Sequence, residues 1–436
     1  MSTSLHRLSE RAKADTTTRF LSIAHLLTPA ALMDAFRGLR KDASAGVDAV
    51  THADYDRDAG ANIHRLHGRL VSHQYRAQPL RRVYIPKENG TERPIAIPAL
   101  EDKIVQRATV TVLNAIYEQD FLPCSYGFRP GRNPHHALDA IGQTLCRGPM
   151  AYVLEADIQG YFDAIVRDQL MAFVERRIGD GSILRLIRKW LHVGVLEDGH
   201  LLTTETGTGQ GQVISPLLAN VYLHYVLDTW FEQEVKPRLR GQAVEIRYAD
   251  DFILCFQYRE DAERVLRVLA QRFATYGLAL HPEKTRLLKF GRSALPTRPG
   301  QRRPATFDFL GFTHVCARSR RGRFTVHVRT RRTRLQRSLK AVARWCQRHR
   351  HDPLVDQAAA LNAKLRGHYQ YYGRPTNARR LEQFYRLVQR IWHKWLTRRS
   401  RGRSLPWPDF RRQVLGRYPL CRPRITHAWA STGSPG

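Results

Sequence analysis

Apolar and polar positions divide the chain into helical stretches and short strands. Alternating residues on either side of Asn89-Gly90, a dipeptide typical of tight turns, predict a β-hairpin over residues 82–98. Short apolar runs predict buried strands, and the longer amphipathic stretches around them predict helices. The predicted strands are 152–158, 244–248 and 252–256, and the predicted helices are 100–117, 168–177 and 260–276, after a mainly helical region 1–75.

The order of these elements favours an α+β fold. Strands and helices alternate, but hairpins interrupt them, which is typical of a sheet with helices on one face rather than a doubly wound sheet. Beyond Arg329 the chain is predicted to be helical, because apolar residues recur at spacings of three and four. They are Leu381, Phe384, Tyr385, Val388, Ile391, Trp392 and Trp395. We expect Trp392 and Trp395 to belong to a hydrophobic core rather than to stack on bases.

The charge of the chain is strongly positive and unevenly distributed. Among 436 residues, 71 lysines and arginines oppose 39 aspartates and glutamates, giving a formal net charge of +32. Residues 317–436 hold 30 of those cations, 27 of them arginine, against four acidic residues. Such a surplus indicates a nucleic-acid partner, because the planar guanidinium matches phosphate geometry. We therefore expect a nearly balanced body followed by a basic, nucleic-acid-binding region.

Several classes of protein are disfavoured by the sequence. It contains no run of 18 apolar residues that would span a membrane, and it begins without an apolar signal core. The six cysteines include no Cys-x-x-Cys pair, which argues against a zinc site or a disulfide framework. We expect a cytoplasmic protein associated with nucleic acid.

Three aspartates are expected to converge. Asp157 ends one predicted strand, and Asp250 and Asp251 lie at the tip of a predicted hairpin. If those strands are neighbours, the clustered carboxylates need a divalent cation, and hard oxygen ligands favour Mg2+. Two such ions about 3.5–4 Å apart can activate a 3′-hydroxyl and stabilise a departing pyrophosphate. An Asp-Asp pair alone is more often a solvated turn, but this pair lies between two apolar strands.

Tyr248-Ala249-Asp250-Asp251 resembles the catalytic hairpin of reverse transcriptases. Its neighbours follow in the order typical of the group II intron-encoded reverse transcriptase/maturase family, over residues 45 to 315. The matching motifs are Arg82–Lys87, Glu92–Ile95, Ser125–Arg132, Ala156–Ile158, Gln210–Tyr222, His281–Thr285 and Phe309–Phe312. Taken jointly, these motifs are highly specific for that family.

The resemblance implies a right-hand polymerase architecture with fingers, palm and thumb. On that basis we expect a helical N-terminal extension over 1–75 and reverse transcriptase fingers and palm over 76–315. A basic helical thumb or maturase domain would follow over 316–400. Residues 401–436 would form a short basic segment, at most a reduced DNA-binding region. We expect the form of the family that has no C-terminal endonuclease domain.

The resemblance also implies roles at the reaction centre. Asp157, Asp250 and Asp251 would bind two Mg2+ ions, for which Mn2+ can substitute, and the backbone carbonyl of Ile158 would add a ligand. Lys284 would act as a general acid that protonates the pyrophosphate leaving group. The alternative for Lys284 is a simple phosphate contact or a solvated lysine.

Four further residues are implied to bind the incoming nucleotide. They are Lys87, Arg93, Phe162 and Gln210. Lys87 and Arg93 would hold the triphosphate, and the Phe162 ring would exclude a 2′-hydroxyl unless it is an ordinary core residue. The sequence departs from the family beside Gln210. Gly209 stands where relatives often have proline and would loosen the backbone, and Gln212 stands where they have glycine and would add a polar side chain near the template.

Contacts with primer and template are implied for a second set of residues. They are Tyr248, Gly311, Arg129 and Asn220. Gly311 lies in a Phe-Leu-Gly-Phe segment that resembles the family's grip on the primer end, where glycine permits close approach of the backbone.

These features together predict an RNA-directed DNA polymerase of group II intron type. It would add dNTPs to a DNA primer or target on an RNA template, and would bind group II intron RNA to assist splicing and mobility. An intron-independent reverse transcriptase in phage defence or DNA repair has the same motifs and is an open alternative. A splicing-only maturase is another, although the intact carboxylates argue against it. An RNA-directed RNA polymerase is disfavoured by Phe162 and Ala249.

Overall fold

A computed structural model describes residues 3–86, 92–197, 200–202, 206–296, 304–399 and 405–428. The packing divides the chain into two compact units. The first consists of Met1–Pro134 and Leu154–Leu287, and the second of His135–Val153 and Leu288–Gly436. Both units contain helices and short sheets, which confirms the α+β class.

Helices make up most of the first unit, as expected for its N-terminal part. Local capping explains several of their starts: Thr28 accepts a hydrogen bond from the amide of Ala31, and Thr51 and Asp54 form a capping box. The helices are α1 (Thr3–Ala14), α2 (Pro29–Arg37), α3 (His52–Asp56), α4 (Ala59–Val71), α5 (Leu100–Asp120), α7 (Tyr161–Ala164), α8 (Arg167–Glu175), α9 (Gly181–His192), α10 (Ser215–Leu223) and α11 (Arg259–Thr275). A wider helical turn, His224–Asp228, continues α10.

One four-stranded sheet of the first unit contains the predicted hairpin. Its strands are β1 (Leu80–Pro86), β2 (Glu92–Ile97), β4 (Val195–Glu197) and β5 (His200–Leu202), in the order β2-β1-β4-β5. β1 and β2 pair antiparallel from Arg81 opposite Ile97 to Pro86 opposite Glu92, so the hairpin pairing is confirmed. The Asn89-Gly90 turn and Lys87 lie outside the described residues.

A second four-stranded sheet brings the candidate carboxylates together. Its strands are β3 (Tyr152–Asp157), β6 (Ala243–Tyr248), β7 (Asp251–Phe256) and β8 (Arg286–Lys289), in the order β6-β7-β3-β8. β6 and β7 form an antiparallel hairpin. The residues Phe252–Phe256 of β7 are all buried. A strand covered on both faces requires apolar residues at every position, and this run is apolar throughout.

The second unit differs from the expectation of a basic helical domain beginning at residue 316. It contains a three-stranded sheet of β9 (Thr306–Phe309), β10 (Phe312–Arg318) and β11 (Phe324–Thr330), in the order β11-β10-β9. Alternate residues of β10 and β11 are buried, including Cys316, Val326 and Val328, which is the pattern of a half-buried strand. The helices of this unit are α6 (Pro134–Arg147), α12 (Arg332–Arg348), α13 (Leu354–Tyr372), α14 (Ala378–Thr397) and α15 (Trp407–Asp409).

The helices of the second unit share one hydrophobic core. Trp392 of α14 is fully buried in it, and its indole nitrogen donates a hydrogen bond to the side chain of Gln357, 2.9 Å away. Trp395 packs against the same core, so the core assignment of both tryptophans is confirmed. No helix within the described residues combines the length and apolarity needed to cross a bilayer.

Candidate active site

The carboxylates lie at one end of the β6-β7-β3-β8 sheet. Asp157 is the last residue of β3, which neighbours β7. Tyr248 pairs with Asp251 at the end of the β6–β7 hairpin, so Ala249 and Asp250 form its two-residue turn. All of these residues belong to the first unit, and each carboxylate-bearing residue is half-buried. The convergence that the sequence predicted is therefore present.

The turn between Tyr248 and Asp251 has an unusual backbone. Ala249 adopts a φ of 58°, a conformation that an L-residue other than glycine rarely takes. Two-residue hairpin turns with a positive φ at their first position favour glycine, asparagine or aspartate there rather than alanine. The turn is therefore held by its surroundings, as strained segments at functional sites usually are.

Gly127 provides part of those surroundings. A Cβ atom on this residue would collide with the backbone nitrogen of Ala249 and would lie 2.9 Å from the carbonyl carbon of Tyr248. The carbonyl of Gly127 accepts a hydrogen bond of 2.7 Å from the Asn220 side chain on α10. A residue without a side chain is required at 127, because the backbone of the 125–128 segment lies directly against the turn.

The charges of the site act on one another. Burial, and then the negative charge of Asp157, raise the pKa of Asp250, while the positive charges of Arg93 and Arg247 oppose that rise. Arg93 lies on β2 with an exposed side chain. A predicted triphosphate-binding cation therefore acts electrostatically on the carboxylate site.

Lys284 forms an ion pair with Asp157. Its ammonium group lies 2.7 Å from Oδ2 of the aspartate, and the lysine side chain is 59% exposed. The preceding segment is anchored to the strand end, because the amide of His281 donates to the carbonyl of Asp157 and Ile158 bridges Leu280. The two hydrogen bonds of that bridge run from the amide of Gln159 to the carbonyl of Ala279 and from the amide of His281 to the carbonyl of Asp157. Neither of them uses the carbonyl of Ile158.

The donor set fits divalent metal ions of the Mg2+ type. The side-chain donors are all carboxylate oxygens, the class of ligand that Mg2+ prefers. A cation, the Lys284 ammonium, already lies against one of them. A second cluster of possible metal ligands lies elsewhere among the described residues. It consists of Cys124, Asp228 and Glu245, whose ligand atoms lie within 4.8 Å of one another.

Residues 85–314 match the family model described as reverse transcriptase (RNA-dependent DNA polymerase). This segment is more than half of the chain, and it contains the three aspartates and Lys284. The chain belongs to the reverse transcriptase family. It is accordingly an RNA-directed DNA polymerase.

Individual relatives extend this assignment of the reverse transcriptase. Protein YkfC of Escherichia coli (strain K12) is 33% identical over 364 residues, which are 73% of this chain and 90% of YkfC. Group II intron-encoded protein LtrA of Lactococcus lactis subsp. cremoris is 31% identical over 302 residues, 66% of this chain and 50% of LtrA. A 91 kDa protein in the cob intron of Schizosaccharomyces pombe is 35% identical over 232 residues, 52% of this chain and 28% of that protein. The resemblance to group II intron reverse transcriptases is confirmed, although the chain spans only half the length of LtrA.

Three of the four predicted nucleotide-binding residues of the reverse transcriptase are described by the structure, and these three, Arg93, Phe162 and Gln210, lie in the first unit. Phe162 lies on α7, five residues after Asp157, and is half-buried. Its carbonyl accepts a hydrogen bond of 2.8 Å from the amide of Thr208. Gln210 is half-buried, and its carbonyl accepts a hydrogen bond of 2.6 Å from the amide of Ala96 on β2. The segment that carries Gln210 is thus tied both to α7 and to the β1–β2 hairpin.

Two of the residues predicted to contact primer or template have side chains that are buried and bonded within the protein. Arg129 is buried, forms an ion pair with Glu118 and donates to the carbonyls of Leu122 and Ser125. Asn220 is buried, and both ends of its amide bond to protein groups. Their polar atoms stabilise the segments around the turn, because each is already satisfied inside the protein.

Gln212 also differs from the expectation of a polar group near the template. It is buried, accepts a hydrogen bond of 2.8 Å from Gln106 and donates one of 3.0 Å to the carbonyl of Trp190. Gly209 is closely packed, since a Cβ atom there would lie 2.8 Å from both Leu80 and Gln212. Both departures from the family pattern therefore belong to the packing beneath the Gln210 segment.

The two remaining predicted contacts have accessible positions. The half-buried Tyr248 lies beside Phe128, a 53% exposed aromatic, with ring centroids 6.5 Å apart. Gly311 belongs to the second unit and has a φ of 77° in the tight turn between β9 and β10. That turn is anchored by Tyr371, whose hydroxyl donates to the carbonyl of Leu310 at 2.9 Å.

Sequence reasoning missed a buried polar cluster behind the hairpin. The side chains of Arg247 and Asp228 form an ion pair of 2.6 Å and are both fully buried, and Glu245 lies beside them. Burial, and then the charge of Asp228, raise the pKa of Glu245 well above its ordinary value, and burial raises the pKa of the Cys124 thiol. Both shifts favour the neutral forms of Glu245 and Cys124 beside the Arg247–Asp228 ion pair. The sequence could have indicated this cluster, because Glu245 and Arg247 are charged residues at alternate positions of a strand that is otherwise largely apolar.

The second unit has a basic groove of about 810 Å³ between α14 and the segment that follows α15. Four arginines and two aromatic residues line it, whereas Glu382 is its acidic residue. They are Arg386, Arg390, Arg411, Arg422, Tyr385 and Trp407. We call this surface the arginine groove. Cations interleaved with aromatic rings are typical of surfaces that bind single-stranded nucleic acid.

Proposed function

We propose that this reverse transcriptase extends a DNA primer along an RNA template with Asp157, Asp250 and Asp251 as ligands of two Mg2+ ions. The carbonyl of Ile158 would complete the oxygen set. The observation that carries the proposal is the convergence of the three carboxylates at one end of one sheet, beside cations that can meet a triphosphate. When bound, the ions supply Lewis-acid stabilisation of the attacking hydroxyl and of the leaving pyrophosphate.

The chemistry is a nucleotidyl transfer. The primer O3′ forms a bond to the α-phosphorus of the dNTP, the bond to pyrophosphate breaks, and the O3′ proton is lost. Lys284 is suited to give a proton to pyrophosphate because its ammonium group lies at the site and is solvent-exposed. To do so it would exchange its contact with Asp157 for one with the phosphate.

Binding of the nucleotide is assigned to the first unit. Arg93, together with Lys87, would hold the triphosphate from the β1–β2 hairpin, which makes this sheet the fingers. Gln210 and Phe162 would meet the base and the sugar, and Phe162 would select deoxynucleotides. The β6-β7-β3-β8 sheet would then be the palm, and the helices of the second unit the thumb.

We infer that the second unit binds RNA of the group II intron class and thereby assists splicing and mobility. The supporting observations are the arginine groove and the resemblance to an intron-encoded protein. A reverse transcriptase free of an intron would have the same catalytic residues. Intron RNA domains flanking the gene would favour the intron-linked role, and their absence would favour defence or repair.

Primer extension tests the polymerase proposal. We expect wild-type protein to extend a DNA primer on an RNA template with dNTPs and Mg2+, and Asp250→Asn to lose at least about 10³-fold in rate, because a metal ligand is removed. RNA affinity should be retained. Asp56→Asn, which changes an exposed carboxylate on α3, is the matched control and should extend normally. Equal extension by wild type and Asp250→Asn would refute the assignment.

A further inference from the structure

Arg247 makes an unusual set of contacts for a buried residue. It lies on β6 two residues before the turn, and its side chain is fully buried. Each of its five N–H groups has an acceptor. The contacts are 2.7 and 2.6 Å to the two Asp228 oxygens, 3.0 Å to Oδ1 of Asn220, 2.8 Å to Oγ of Ser125 and 2.9 Å to the carbonyl of Ala249. One guanidinium thus bonds to four residues, two on α10 and its continuation, one in the 125–128 segment and one in the turn, which its planar fork allows and an ammonium group does not.

The bond to the Ala249 carbonyl reaches the catalytic turn itself. Ala249 is the residue with the positive φ, and it lies directly between the Tyr248 motif position and Asp250. The backbone of Gly127 packs against the same turn, and Asn220 bonds both to Gly127 and to Arg247. Arg247 and Asn220 therefore form a clamp: Arg247 holds the Ala249 carbonyl, and Asn220 ties Arg247 to the Gly127 segment that packs against the turn.

An ion pair without a catalytic role is the competing explanation. Asp228 alone would satisfy the charge of a buried arginine, and an isolated buried pair would explain stability without any effect on the reaction. That explanation does not account for the Nη1 group, which is directed away from Asp228 to Asn220 and the turn. The placement of this group distinguishes a clamp from a simple ion pair.

We propose that Arg247 is a positioning residue: by holding the carbonyl of Ala249, it fixes the turn that presents Asp250 and Asp251 to the reaction. This inference rests on the proposed function of those two carboxylates. It assigns Arg247 no contact with substrate. Displacement of a reacting group by about 1 Å can cost about 10²-fold in rate, so loosening the turn should act mainly on kcat.

The chain offers a matched control for this arginine. Arg177 is also buried, pairs with Asp120 at 2.8 Å and donates to the carbonyls of Asp15, Thr18 and Ala12. Its contacts lie among the N-terminal helices rather than at the turn. Arg247→Lys and Arg177→Lys each keep the charge but lose the fork, so both should lower the thermal stability.

Only Arg247→Lys should change catalysis. At a temperature where both variants are folded, we expect its kcat to fall about 10²-fold, with the KM for dNTP and the Kd for a primer–template duplex changed less than about threefold. Arg177→Lys should keep kcat within about threefold. Amide hydrogen exchange of the 247–252 segment should be faster in Arg247→Lys and unchanged in Arg177→Lys.

The proposal is overturned if activity in both variants falls only in proportion to the folded fraction, or if Arg247→Lys raises KM and leaves kcat intact. If Arg247→Lys does not fold, Asn220→Ala keeps the ion pair but removes the two bonds by which Asn220 ties the Arg247 guanidinium to Gly127, so the guanidinium is held less firmly against the Ala249 carbonyl. Its kcat should then fall about tenfold, and an unchanged kcat would overturn the proposal. If wild type makes no Asp250-dependent DNA, the proposed function fails, and the exchange comparison alone decides whether Arg247 holds the turn.

Discussion

The buried arginines of the first unit and the exposed arginines of the arginine groove have different roles. In the first unit, Arg129, Arg177 and Arg247 are buried, each is paired with a carboxylate, and all three also bond to backbone carbonyls. In the second unit, the arginines of the groove are exposed. A buried, paired arginine fixes the course of the chain, whereas an exposed one remains able to meet phosphate. The net charge of a region therefore indicates a partner only after its buried pairs are set aside.

Arg374 tests the limits of this comparison. It belongs to the second unit, yet it is fully buried, pairs with Asp139 and donates to the carbonyl of His135. It therefore behaves like the arginines of the first unit, and its charge should not contribute to RNA binding. The distinction lies in burial and partners rather than in the unit to which an arginine belongs.

The largest expected effect concerns an exposed cation beside the carboxylates, Lys284. If it acts as a general acid, Lys284→Gln and Lys284→Arg should both lower kcat by about 10²- to 10⁴-fold, because arginine keeps the charge but does not release a proton. Single-turnover primer extension measures the effect. Lys289→Gln, another exposed lysine, is the control. Full activity of Lys284→Arg would show that only a positive charge beside Asp157 is needed.

An intermediate effect is expected from a buried acid of the first unit. Burial raises the pKa of Asp102 to about 6, although Tyr75 and the amide of Gln78 donate hydrogen bonds to it. The folded protein thus binds this proton more tightly than the unfolded chain, so stability falls as the pH rises between about 4 and 6.

Replacement of that acid should remove the pH dependence. We expect the stability of wild type relative to Asp102→Asn to fall by roughly 2–3 kcal/mol, about 30- to 160-fold in the unfolding equilibrium, from pH 4 to pH 7. Urea denaturation at both pH values measures it. Asp56→Asn, which changes an exposed aspartate, is the control variant. An equal pH dependence for both variants would contradict the assignment.

The smallest effect is expected in the arginine groove. Arg386→Gln with Arg390→Gln should weaken RNA binding about tenfold and reduce the salt slope by roughly 1.4, as expected for two lost contacts with single-stranded phosphate. Filter binding over a salt series measures both. The control is Arg264→Gln with Arg267→Gln, two exposed arginines of α11 in the first unit. Equal losses in the two double variants would mean that RNA affinity follows total charge and not the groove.

The β6–β7 hairpin could be predicted closely from the sequence because its signal is local. An apolar run on either side of an aspartate pair defines β6 and β7 within one residue of their observed ends. The strands β10 and β11 were missed for the opposite reason. Arg318, Arg320, Arg321 and Arg323 between and beside them dominate the composition, so the alternation of Cys316, Val326 and Val328 was obscured.

Side-chain roles were harder to predict because they depend on partners far away in the sequence. Arg129 and Asn220 lie in motifs that point to nucleic acid, but their polar atoms bond to Glu118 and to Gly127 and Arg247. The Arg247–Asp228 pair involves two segments that no periodicity connects. A motif therefore predicts where the site lies more reliably than which of its side chains face the substrate.

The contact between Gly127 and Ala249 has a consequence for protein engineering. Two segments more than a hundred positions apart in the chain are in backbone contact, and neither leaves room for the other to change shape. For that reason the Tyr-Ala-Asp-Asp hairpin should not keep its conformation when it is moved alone into another protein. Any transplant, insertion or randomised library at 248–251 should carry residues 125–128 with it, as one design unit.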